Sequence, residues 1–126
     1  MKRQLLVIVT MTAALLVASV GYAGAAGRGE AGKCSGGSSE YQLTVRRASA
    51  STLKVKFTVS KAKPGSSWQL FGSDDGDRIF AVSKTASRRG VVSVAKAISN
   101  LPGIDTIKAS GYDATSGDMC NATLAF

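Results

Sequence analysis

Strict period-two alternation over residues 41–46 and 53–60 constrains this chain more than any other feature. Tyr41, Leu43 and Val45 alternate with Gln42, Thr44 and Arg46. Leu53, Val55, Phe57 and Val59 alternate with Lys54, Lys56, Thr58 and Ser60. Successive side chains of a strand point to opposite faces, so this pattern buries one face and wets the other. The β-branched residues reinforce it, because they pack well on a pleated surface. A helix would instead need apolar residues three and four apart. Past the N-terminal segment no stretch sustains that period.

The rest of the chain reads in the same terms. Lys63-Pro64-Gly65-Ser66-Ser67 is a turn, and the strand after it holds Trp68, Leu70 and Phe71. Ser73-Asp74-Asp75-Gly76-Asp77 carries the Asp-Gly hairpin signature. Further strands are expected over 78–83, 90–98, 104–112 and 119–126. A basic loop at 84–89 and turns at 100–103 and 113–117 separate them. Strands this short and this regularly spaced predict an all-β antiparallel sandwich of about seven strands, spanning residues 40–126.

The N-terminus reads as an export signal. Met1-Lys2-Arg3-Gln4 supplies the positive start, residues 5–20 the apolar run, and Ala23-Gly24-Ala25 the small-residue cleavage site. Residues 1–25 are therefore expected to be a signal peptide. Residues 5–26 carry no charge, so an uncleaved membrane anchor is the alternative. Residues 26–39 are rich in Gly and Ser and read as a flexible lead. The only two cysteines, Cys34 and Cys120, follow the signal. An even count in an exported chain predicts a disulfide, with two free thiols as the alternative. Ala31-Gly32-Lys33 is not the sequence that lipid attachment to Cys34 would need.

The formal net charge is +8. Without Lys2 and Arg3 there remain 14 basic and 8 acidic residues, or about +6. Such a charge favours anionic surfaces through long-range attraction, and it also keeps a small protein soluble. Alternation places Lys54 and Lys56 on one outward face, and Arg46 joins them if its strand lies alongside. Arg88 and Arg89 form a second basic group in the 84–89 loop. Arg binds phosphate or carboxylate through two parallel hydrogen bonds, Lys as a point charge.

Two features resemble immunoglobulin-like or fibronectin-like modules of bacterial secreted proteins. One is the lone Trp68 opening its strand after a Pro-Gly turn. The other is the tail from Ile107 through Tyr112, Asp113 and Gly117 to Cys120 and Phe126, which is similar to the closing hairpin of such domains. The resemblance covers residues 34–126 and implies a two-sheet sandwich. It departs from the antibody pattern in that Cys34 precedes the first clear strand. The closing hairpin is also similar to apoproteins of the neocarzinostatin group, small secreted sandwiches that carry an apolar ligand and have two disulfides.

Catalytic chemistry is hard to assemble. The chain has no histidine, which removes Ser-His-Asp and Cys-His catalysis and every His-containing zinc site. Gly27-Arg28-Gly29-Glu30-Ala31-Gly32 matches a dinucleotide fingerprint by letter only, since it opens no predicted helix. Asp74, Asp75 and Asp77 form the only acidic cluster in sequence. Three oxygen donors suit calcium, but Asp and Gly are also what a hairpin turn demands. Neither a metal nor a cofactor is expected, and the chain does not read as an enzyme.

The expectation is a small secreted, non-catalytic, monomeric binding protein. It would contact an anionic envelope polymer or an extracellular protein through Arg46, Lys54, Lys56, Arg88 and Arg89. Nucleic acid is not expected, because a binding platform needs exposed aromatics among the basic residues. The alternative is a small-ligand carrier, or an inhibitor presenting the loops around Asp74 and Asp113.

Overall fold

The computed structural model describes residues 27–100 and 102–126, so the expected signal peptide lies outside the described residues. Eight strands run in chain order: β1 (Gly27–Lys33), β2 (Glu40–Ser49), β3 (Thr52–Ser60), β4 (Ser67–Asp74), β5 (Asp77–Thr85), β6 (Val92–Ser99), β7 (Thr106–Tyr112) and β8 (Met119–Ala125). There is no helix among the described residues. Every pairing is antiparallel, in two four-stranded sheets ordered β1-β2-β3-β6 (sheet A) and β5-β4-β7-β8 (sheet B). The chain crosses between sheets after β3, β5 and β6. This exchange makes the protein an antiparallel β-sandwich of two interlocked sheets rather than two stacked meanders.

The alternation seen in the sequence maps directly onto the two faces of sheet A. Leu43, Val45, Leu53, Val55, Phe57 and Val59 point inward and are fully buried. Trp68, Leu70 and Ile107 close the core from sheet B. The Trp68 ring is inside, and its Nε1–H donates to Ser66 Oγ at 2.9 Å, so the buried indole keeps its hydrogen bond. The β4–β5 hairpin turns on Asp75 (φ 50°) and Gly76 (φ 92°). Two successive left-handed residues make a type I′ turn, whose twist matches the strands it joins.

One expectation is corrected. Residues 26–39 are not simply a flexible lead, because Gly27–Lys33 forms β1 and pairs along its whole length with residues 40–46 of β2. A ladder needs only backbone donors and acceptors, and the composition of this stretch, low in β-branched residues, hid it. Beyond β1, Cys34 and Cys120 form the expected disulfide, with Cα atoms 4.3 Å apart. The bridge joins the edges of the two sheets, β1 to β8. Ser35 and Met119 exchange backbone hydrogen bonds of 2.8 and 2.9 Å beside it. Further along, Glu30 Oε1 accepts from the Thr123 amide at 2.9 Å. The β1 edge is thus fastened to sheet B.

Candidate functional site

The register of sheet A decides which basic residues meet. Arg46 lies directly opposite Lys54, and Thr44 opposite Lys56. Lys54 and Lys56 are two apart on β3 and share a face. All three are exposed. On β6 the same outward rows hold Ala97 and Ala95, short side chains that leave the three cations prominent. Like charges directly opposite each other on neighbouring strands are destabilising, so nothing in the folding of the sheet calls for Arg46 beside Lys54. Among the described residues the one ion pair is Lys61 with Glu40, at 3.2 Å. Arg46, Lys54 and Lys56 therefore have no acidic partner.

Arg88 and Arg89 lie elsewhere. Their loop is held against the far end of β3, where the Ala62 amide donates to Gly90 O at 3.0 Å. Six residues of strand separate Lys54 from the end of β3 at Ser60, about 20 Å, and the chain bends at Lys61 just beyond. The five basic residues therefore form two groups. Arg46, Lys54 and Lys56 sit on the outer face of sheet A, and Arg88 and Arg89 sit at one end of the sandwich, near Lys61 and Lys63.

Aromatic residues do not accompany the basic face. Trp68 and Phe80 are buried, and Tyr41 packs on the core beside Phe57. Phe71, Tyr112 and Met119 are the large exposed apolar residues of the described strands, all on the outer face of sheet B. Next to them is an open groove of about 400 Å³ whose lining includes Phe71, Arg78, Lys108 and Asn121.

The acidic residues divide into satisfied and unsatisfied ones. Asp113 is buried and fully used by its own turn: Oδ1 accepts from the Thr115 amide and Oδ2 from the Ser116 hydroxyl, both at 2.9 Å. Asp118 is half satisfied: Oδ2 accepts from the Ser39 hydroxyl at 2.7 Å, while the buried Oδ1 has no partner. Asp74, Asp75 and Asp105 are different. One carboxylate oxygen from each lies within 4.8 Å of the others. Burial first, then the charges of Asp105 and Asp75, a hydrogen bond with the Asp105 carboxyl and the charge of Asp77 push the Asp74 carboxyl up to about 6. Asp105 was invisible in the sequence as a member of this group. It stands 30 positions beyond Asp75, and only the docking of the hairpin tip onto β7 joins them: Asp75 N donates to Thr106 O, and Thr106 N to Asp75 Oδ1, both at 2.9 Å.

No protein-family model matches the sequence, no curated protein is significantly similar to it, and no solved structure matches its fold.

Proposed function

We propose that this is an exported, non-catalytic binding protein whose outer sheet A face, centred on Arg46, Lys54 and Lys56, holds an anionic polymer of the cell envelope. The observation that carries this reading is the register: three unpaired cations on one open, regular surface. The charge distribution supports it. The strands of sheet A carry seven Lys and Arg residues against Glu30 and Glu40, whereas those of sheet B carry Arg78, Lys84 and Lys108 against Asp74 and Asp77. Phosphates or carboxylates spaced along a polymer would relieve the repulsion between Arg46 and Lys54. The disulfide supports export, because such bonds persist in oxidising compartments.

The test is co-sedimentation of the protein with cell envelope from its own producer across a salt series. If each of the three cations neutralises one anionic group, the log–log slope of affinity against salt is about −2 to −3. The Lys54→Ala/Lys56→Ala variant should bind more weakly at low salt and lose most of that slope. Binding that is insensitive to salt, or unchanged in the variant, would overturn the assignment of this face.

A further inference from the structure

The loop before β7 and the β4–β5 turn bring three carboxylates together where neither element needs them all. Asp105 is 4% exposed. Its backbone is fully employed, donating to Phe126 O at 3.0 Å and accepting from Phe126 N at 2.9 Å. Its side chain caps nothing: Oδ2 is buried and meets no hydrogen-bond donor. Asp74 Oδ1 is buried and meets no donor from any other residue, although the Asp74 and Asp105 carboxyls are close enough to share a proton when one is protonated. No Lys or Arg of the described residues pairs with any of the three. A buried carboxylate without donor or cation is costly, and native structures rarely leave one so. Asp113 has both oxygens occupied by its own turn, and Asp118, whose Oδ1 is also buried and unpartnered, keeps the Ser39 hydroxyl on its other oxygen and lies in no cluster of carboxylates among the described residues.

We propose that Asp74, Asp75 and Asp105 bind a calcium ion. Calcium takes oxygen ligands at 2.3–2.6 Å, so two oxygens on one ion lie at most about 5 Å apart. The carboxylate oxygens here lie within 4.8 Å of one another. The ligands come from a turn and a loop, which suits the tolerant coordination of calcium better than a rigid octahedron. Asp75 can serve while its Oδ1 accepts from Thr106, since its second oxygen remains. The ion would tie the tip of the β4–β5 hairpin to the entry of β7 and, through Asp105, to Phe126. Extracellular calcium modules bind at about 10⁻⁴–10⁻³ M, and three carboxylates on flexible segments belong in that range. This inference is independent of the basic face.

The experiment is thermal unfolding of the full protein, first stripped with EDTA, then titrated with CaCl₂ to 20 mM at constant ionic strength. At calcium tenfold above its dissociation constant the midpoint should rise by about 5–10 °C. Asp105→Asn preserves size and the backbone pair with Phe126 while removing one charged ligand. It should unfold at or above the wild-type temperature without calcium and lose most of the calcium-dependent rise. Asp75→Asn, which keeps the turn and the Thr106 bond, should weaken the response as well. Absence of a rise, an equal rise with magnesium, or a full rise in both variants would overturn the proposal.

Discussion

Removal of the Cys34–Cys120 bridge tests how the fold is held. The bond closes a loop of 86 residues. In the chain-entropy model the cross-link removes about 15 cal/mol/K from the unfolded ensemble for such a loop, or about 4.6 kcal/mol at 25 °C. Natural domains are stable by only about 5–15 kcal/mol, so the loss would be a large share of the total. The native state gives little reason for a further penalty. β1 keeps its ladder with β2, the Ser35–Met119 backbone pair survives, and Thr123 still donates to Glu30. The effect should therefore fall on the unfolded chain. Urea unfolding of Cys34→Ala/Cys120→Ala should show a loss of about 4–5 kcal/mol. It should also show a steeper denaturant dependence, because an uncrosslinked unfolded chain exposes more surface. A loss below about 2 kcal/mol with an unchanged slope would refute the entropic account. It would mean that the contacts along the β1–β8 edge, not the covalent link, fasten the two sheets.

Two further perturbations are sharp. Gly90 has φ 75°, and a Cβ there would collide with Ala62 O, whereas Gly65 has φ 82° with nothing within 4 Å. Gly90→Ala should cost about 2–4 kcal/mol in urea unfolding and Gly65→Ala only about 1, and equal costs would mean that the contact with Ala62 is readily relieved. The Asp74 carboxyl is raised from 3.8 to about 6 by burial and by neighbouring Asp105, Asp75 and Asp77. Its folded form holds a proton more tightly than its unfolded form, so the stability it contributes is present below pH 3.8 and is lost as pH rises through about 6. In EDTA, stability should therefore fall between about pH 4 and 6, and Asp74→Asn should flatten that segment of the profile.

The sandwich was legible because its signal is local. In β2 and β3 each apolar residue sits two from the next, and the pleat turns that spacing into a face without help from distant contacts. The seven strands expected from alternation and turn chemistry are β2 to β8, and Asp75-Gly76 forms the turn that its residue types favour. The strand β1 was hidden for the opposite reason. Its sequence, Gly-Arg-Gly-Glu-Ala-Gly-Lys, has no period-two hydrophobicity, and its place is fixed by the β2 backbone and the bridge to Cys120. The grouping of Arg46 with Lys54 was conditional on a pairing that sequence suggests, and the register supplies it. The separation of Arg88 and Arg89 from them, and the approach of Asp105 to Asp74, depend on how strands cross between sheets. Nothing in a local window records that.

The two charge groups differ in what the fold asks of them. Polar side chains on the outer face of a strand need only be soluble, and Thr, Ser or Gln would serve, as Gln42 and Thr44 do on the same face of β2. Arg46 and Lys54 sit opposite each other instead, an arrangement the sheet tolerates at some cost. Asp74 and Asp105 likewise bring negative charge into a partly buried space where Asn would fill the same volume. In each case like charges are held together by a scaffold that gains nothing from the repulsion. A ligand of opposite charge would convert each cost into attraction, a polymer of anions at sheet A and a cation at the hairpin tip. Salt separates the two sites experimentally. Salt should weaken the first steeply, because its cations stand in solvent. It should weaken the second less, because a buried carboxylate is screened poorly.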